Sequence, residues 1–210
     1  MSLQTPHTSS GEFNKLAEVA GAQAALRDLC KPFLHHEFSP ECVVVHPDGI
    51  PAPEDHLLVH HDHMTVVLQD HHRGPVNVHV IEEHLQGDHY TRMIKLTPAG
   101  TDKVVEYGIV RLDLSFISPR VRDEILARKL PLGAILIKHE VHRRIKPRYF
   151  LHFPAGGQVL NLFGDGYRAP AYGRIGTIFC DGEPAIELLE IVTNTGNTEG
   201  VRSQESGARR

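Results

Sequence analysis

The sequence has little with which to cross-link itself. Its three cysteines, Cys30, Cys42 and Cys180, lie far apart and form no C-x-x-C pair. That number and spacing exclude a disulfide framework and a cysteine zinc site, and assign the thiols to the core. Long apolar runs are missing as well. No stretch approaches the roughly 18 uninterrupted apolar residues of a membrane span, and the N-terminus has neither the basic start nor the apolar h-region of a signal peptide, so a cytoplasmic, non-membrane protein is expected. Positive charge is not in excess: 22 Lys and Arg stand against 26 Asp and Glu, a formal charge of -4. Such a balance offers no general attraction for nucleic acid or anionic lipid. No internal repeat is seen.

What remains is the composition of one globular domain: 210 residues, 40% hydrophobic and 23% charged. The polar ends, residues 1–13 and 193–210, are expected to be disordered. Residues 14–56 read as an N-terminal helix, with Leu16, Val19, Ala20, Ala24 and Leu29 at helical spacing, followed by an irregular lead-in with one short apolar run at Val43 to Val45. Residues 57–192 form the main unit. A short helix begins at Asp62 or His63 and closes at Gly74. Three alternating segments, from Val76, Tyr90 and Lys103, read as an antiparallel meander. Ser118 caps a helix with Pro119 at its first position, and a second helical run follows Pro131. RRIKPRYFLHF reads as a strand, the glycine-rich AGGQVLNLFGDGYRAP as a mobile loop, and YGRIGTIFCDGEPAIELLEIV as a hairpin turning at DGEP. The sum is an α+β fold, a single domain on an antiparallel sheet.

Four motifs in this order carry a resemblance: LLVHHDHMT with Met64 and Thr65, TRMIKL with Arg92, KLPLGAIL with Pro131, Leu132 and Gly133, and YGRIGTIFCDGEPAIELLE. Together they span about 135 residues and are similar to the chorismate pyruvate-lyase (4-hydroxybenzoate synthase) family, in particular its divergent bacterial branch. The resemblance implies about six antiparallel strands with helices on one face and a ligand enclosed beneath flaps. It further implies, without any cofactor, conversion of chorismate to 4-hydroxybenzoate and pyruvate by loss of the enolpyruvyl group with aromatisation. A non-catalytic module binding an aromatic acid on the same fold is the alternative, since fold does not fix function. A DNA-binding regulator of this fold would need a basic winged helix, and the residues before Leu57 offer neither its length nor its charge.

A dianionic substrate needs a fixed cation, and Arg92, on a strand, aligns with the family's carboxylate-binding arginine. Without the alignment it would read as a solvent-facing strand arginine. Glu190 falls nearest the family's catalytic glutamate, one residue further from Pro184 than the pattern expects, so either a bulge absorbs the difference or the role shifts. Glu187, three residues earlier, must face the other side of a regular strand. The family's backbone amides correspond to Met64 and Leu132, with Gly133 permitting close approach. Arg174 is either a second cation near the site or an exposed strand residue. Better-known members carry an arginine where this chain has Gly108; Arg111 faces away from that position, and Glu106 shares its side. Nine of the 16 histidines fall between His56 and His89. They include no HExxH and are read as surface residues beside a flap, with no metal site; a histidine-based metalloenzyme is the rival. If the loop 155–170 is a lid, shortening it should speed product release.

Overall fold

The computed structural model describes residues 10–36, 41–163, 167 and 169–193. Most of both polar ends therefore lies outside the described residues. Seven strands, β1 Val43–Val45, β2 Val76–Gln86, β3 His89–Pro98, β4 Glu106–Asp113, β5 Arg143–Phe153, β6 Ala171–Cys180 and β7 Glu183–Thr193, form one antiparallel sheet in the order β1-β5-β6-β7-β4-β3-β2. The seventh strand beyond the expected six is β1, whose three residues pair only with Phe150 to His152 of β5. Five helices complete the α+β domain: α1 Ser10–Cys30, α2 Glu54–Leu58, α3 Met64–His72, α4 Pro119–Leu126 and α5 Leu132–Lys138. No helix among the described residues is long and apolar enough to cross a membrane.

Local chemistry explains most boundaries. His63 precedes α3 in extended backbone, and Arg73 ends it in the left-handed region at φ 54°. The amide of Gly74 then closes the turn on the carbonyl of Gln69. Pro119 starts α4 at the first helical position, while Ser118 stands at the N-cap in extended backbone but makes no capping hydrogen bond with its side chain. Asp181 and Gly182, with φ of 51° and 94°, supply the two left-handed residues of the β6–β7 hairpin.

The central strands β4 and β7 are buried on both faces, which is why their sequences lack clean alternation. Residues 186, 188, 190 and 192 of β7 face one side of the sheet and 187, 189 and 191 the other. The helices α2 to α5 cover the first side in two apolar clusters. One joins Leu57, Leu58, Met64 and Leu68 to Ile94, Leu96 and Val192. The other joins Val121, Ile125, Ile135 and Leu136 to Val110, Leu112 and Leu188.

The opposite side is covered by α1, which belongs to the same packed unit and not to a separate lead-in. Its buried stripe is Ala22, Leu26, Leu29 and Cys30, set against Tyr107, Ile109, Leu189 and Ile191. Leu16, expected in that stripe, is 65% exposed. Arg111 ties α1 to the sheet by pairing with Asp28 at 2.7 Å and with Glu187. Val159 and Leu160, in the segment read as a lid, are buried in this same cluster. That segment is therefore anchored on the α1 side, across the sheet from the helices that carry the Met-Thr and Pro-Leu-Gly motifs. Its described part does not close over them. The sequence hid this because glycine content masked two buried apolar residues in a single helical turn, Gln158–Phe163. Residues 164–166 and 168 lie outside the described residues.

Candidate functional site

Between the two apolar clusters on the helix-covered side lies a small, partly open cavity of about 40 Å³. Its floor is Glu106 and Gly108 of β4 and Leu188 and Glu190 of β7, with Ile94 and Leu96 of β3 at one side. Its roof is made where two helices begin: Met64 and Thr65 of α3, and Leu132 and Gly133 of α5. First-turn amides have no acceptor inside their own helix, so both motifs bring uncommitted donors to the roof region. The helix starts are pressed together through Gly133, where a Cβ would lie 2.9 Å from Cβ and Cγ of His63. Any larger residue there would force them apart.

Glu190 and Glu187 separate as strand parity requires. Glu190 is 8% exposed and lines the cavity, while Glu187 faces α1 and Arg111. The additional residue between Pro184 and Glu190 has a physical cause. Pairing of β6 with β7 slips between Ile178 and Cys180, so three steps along β7 match two along β6.

Arg174 is a cation beside the cavity and not an exposed strand residue. It is 1% exposed, and each of its three nitrogens is bonded within the protein. Its Nε donates to Glu190 Oε2 at 2.6 Å, one terminal nitrogen to the carbonyls of Leu58 at 2.9 Å and His60 at 3.0 Å, and the other to the carbonyl of Asp62 at 3.3 Å. Its guanidinium staples the segment between α2 and α3 to the sheet, with four of its five N–H groups committed to protein acceptors.

Arg92 is the reverse case. It is wholly buried, and none of its three side-chain nitrogens meets an acceptor in good hydrogen-bond geometry, although the Tyr90 oxygen lies close enough to interact with the guanidinium. Tyr90 and Glu83 lie close enough to favour its charge, but the Tyr90 hydroxyl is spent on Glu83 at 2.6 Å and Glu83 is paired with Arg128. Burial pulls the Arg92 pKa down from its ordinary value. On the sheet it pairs with Val110, beside the Ile94–Gly108 pair, and both Val110 and Ile94 line the cavity.

The histidines do not all lie on the surface. His63 is 7% exposed, lines the cavity, and its Nε2 accepts from Arg143 Nε at 2.6 Å. Burial first, then the charges of Arg143 and Arg174, lower its pKa to about 4, so it is a neutral ring at pH 7. His60 is half-buried and bonded through Nε2 to the Leu57 carbonyl at 2.7 Å, and burial lowers its pKa too. His61 bonds the Ile145 carbonyl of β5 at 3.0 Å. Periodicity could not reveal these roles, because the partners lie 84 residues away for His61 and 80 for His63. His79 is exposed and bonds Thr97 across the strands. Among the described residues no group of three or more His, Cys, Asp or Glu side chains is placed to hold a metal ion.

His63 also lines a second space, an open groove of about 1160 Å³ between α3, the end of α5 and the start of β5. This ring and its bond to Arg143 thus form the partition between groove and cavity. The native state resists protonation of His63 more than the unfolded chain does, so its contribution to stability is present above pH 6.5 and lost as pH falls toward about 4. Unfolding by urea at pH 7 and pH 4.5 should show a loss of about 2 kcal/mol from this ring. The loss should shrink in His63→Asn; an equal slope in the variant would remove His63 as its source.

No protein-family model matches the chain, and no curated protein matches it. Solved structures do. The ligand-binding domain of a protein assigned to the GntR family of transcriptional regulators, from Bordetella bronchiseptica, aligns at 13% identity with a TM-score of 0.42, over 57% of this chain and 86% of that one. PhnF from Mycobacterium smegmatis aligns at 12% identity with a TM-score of 0.45, over 62% of this chain and 63% of its own.

Proposed function

We propose that this domain binds a small ring carboxylic acid in the cavity between the α3 and α5 starts, with Arg92 as the carboxylate anchor. One observation carries the reading: a fully buried guanidinium whose nitrogens have no acceptor in good hydrogen-bond geometry. Leaving such a group unpaired is costly, so its retention in a packed interior is accounted for by a partner that arrives from outside. A carboxylate matches its planar fork. The order of motifs supports the same reading, since Met64, Arg92, Leu132, Gly133 and Glu190 all lie at or beside the cavity. A cavity of about 40 Å³ holds one or two waters and no ring, so the α2–α3 segment must shift for a ligand to enter.

Lyase activity on chorismate is the second reading, favoured by the presence of a cavity-lining carboxylate, Glu190, within one residue of where the family's glutamate is expected. In that role Glu190 would meet the ring oxygen while Arg92 holds a carboxylate. Against it, Glu190 is already bonded to Arg174, and no arginine stands at Gly108. The test is direct. Purified protein is mixed with chorismate, 4-hydroxybenzoate and pyruvate are followed by chromatography, and 4-hydroxybenzoate binding is measured by calorimetry. Binding without turnover is expected. Stoichiometric formation of both products would establish the lyase, and neither binding nor turnover would sink both readings.

A further inference from the structure

β2 ends the sheet, and among the described residues nothing pairs with its outer side. A free edge is normally blunted by lysine, proline, an inward charge or a cover. The first half of β2, Val76-Asn77-Val78-His79-Val80, holds no lysine, arginine, proline or acid. The direction of its free groups follows from one bond. The Ala99 amide donates to the Pro75 carbonyl, so that opposed pair is hydrogen-bonded, and opposed pairs alternate between bonded and non-bonded along an antiparallel ladder. Asn77 and His79 therefore spend their backbone groups on Thr97 and Lys95, while Val76, Val78 and Val80 turn theirs outward. The side chains of the same three valines lie on the helix-covered face. Val76 is buried in the cluster of Leu57, Leu58 and Met64, and Val78 and Val80 pack against it half-buried. The run ends where the pairing with β3 slips past Ile81, a side chain that is 51% exposed.

These features fit a second copy of themselves. A twofold axis at Val78 opposes Val78 to its own copy and Val76 to Val80, so every outward amide meets an outward carbonyl. The half-buried valines of the two copies then meet on one face and continue the apolar cluster across the axis. The same register sets Ile81 opposite Pro75. Pro75 borders a shallow depression of about 420 Å³ lined by Gln69, Asp70, Arg73 and Gly74. Knob and hollow lie on one edge on either side of Val78, so each copy supplies a knob and receives one. Charge follows the shape. Glu82, next to the knob, falls opposite Gly74 and beside Arg73, whose side chain makes no ion pair among the described residues. The second half of the strand does not fit itself in this way: an axis at His84 would set Glu83 against Leu85 and Glu82 against Gln86.

We infer that β2 is the seam of a homodimer in which two copies pair antiparallel along residues 76–80 and join their sheets into one. The contact closes on itself and leaves β1 and β5 at the two outer ends, so association through this seam stops at two copies. Sedimentation velocity of the full chain over about a 100-fold range of concentration tests it, and a monomer passing to a dimer is expected. Amide exchange read residue by residue gives the register. The amides of Val76, Val78 and Val80 should become protected as concentration rises, whereas those of Asn77 and His79, already bonded to β3, should be protected throughout. Val78→Pro removes an outward amide and no bond to β3, and should weaken the dimer about tenfold. Ile81→Lys replaces the knob by a cation that meets Arg73 and should do the same. Leu85→Lys, on the same strand past the slip and 54% exposed in the parent, should leave the dimer within about twofold of the unaltered chain. A chain that stays monomeric over the whole range overturns the inference, whether the residues after Thr193 cover the edge or nothing does. So does a dimer that keeps its affinity in Ile81→Lys, loses it in Leu85→Lys, or forms without protecting the three valine amides. The Ile81 and Leu85 variants alter exposed side chains only, so they decide the register even if Val78→Pro does not fold.

Discussion

Arg174→Ala should destabilise the domain by about 3–5 kcal/mol, the range for breaking a buried pair so that one charge is left alone. Glu190 would lose its partner, and the carbonyls of Leu58, His60 and Asp62 would lose a common donor. The loss is mechanical as well as electrostatic, because that guanidinium holds the segment joining α2 to α3. Urea unfolding would give the energy, and amide exchange between residues 58 and 63 would give the mechanism. Arg174→Lys should fall between the two, since one ammonium can meet Glu190 but cannot reach three carbonyls in the directions a planar fork does. A variant as stable as the parent would mean that the staple contributes nothing net, and that the segment is held by Leu57 and Leu58 in the core alone.

Arg92→Met should do the opposite to stability while ending function. Replacing a buried, unpaired guanidinium by an apolar side chain of similar length removes a desolvated charge and should stabilise the unliganded protein by about 1–3 kcal/mol. For a chain of this size, each kcal/mol raises Tm by about 2–4 °C. Affinity for 4-hydroxybenzoate should fall at least about 100-fold, because the carboxylate would enter a site with nothing to receive it. Opposite signs in the two measurements are the signature of a group kept for a ligand at the expense of the fold. A loss of both stability and affinity would instead make Arg92 a structural residue. If affinity were unchanged, the anchor would lie elsewhere.

Strand parity made much of the site legible in advance. In AIELLEIV, period two alone separates Glu187 from Glu190, and in EYGIVRL it puts Glu106 with Gly108 and against Arg111. The turn at Asp181 and Gly182 and the start at Ser118 and Pro119 were equally readable, because their causes lie within two or three residues. Arg174 and His63 were not. What decides their roles is a contact with a segment 112–116 residues away in one case and 80 in the other, and neither leaves a trace in local periodicity. The segment after β5 failed for a related reason: Val159 and Leu160 are too short an apolar stretch to declare a side until α1 is present to receive them.

The mismatch between β1 and β5 bears on how the molecule avoids joining itself. Three residues cover one end of an eleven-residue strand, so much of β5 presents an outer edge on which another strand could grow. The uncovered stretch reads RRIKPR, with Arg143, Arg144, Lys146 and Arg148 around a proline that has no amide to offer. His61 already occupies the carbonyl of Ile145, and the pairing of β5 with β6 slips between Pro147 and Tyr149, which bends the strand. Charge, proline and bulge are concentrated along this uncovered edge, so replacing these six residues by apolar, amide-bearing ones should open it to strand addition and shorten shelf life in concentrated solution.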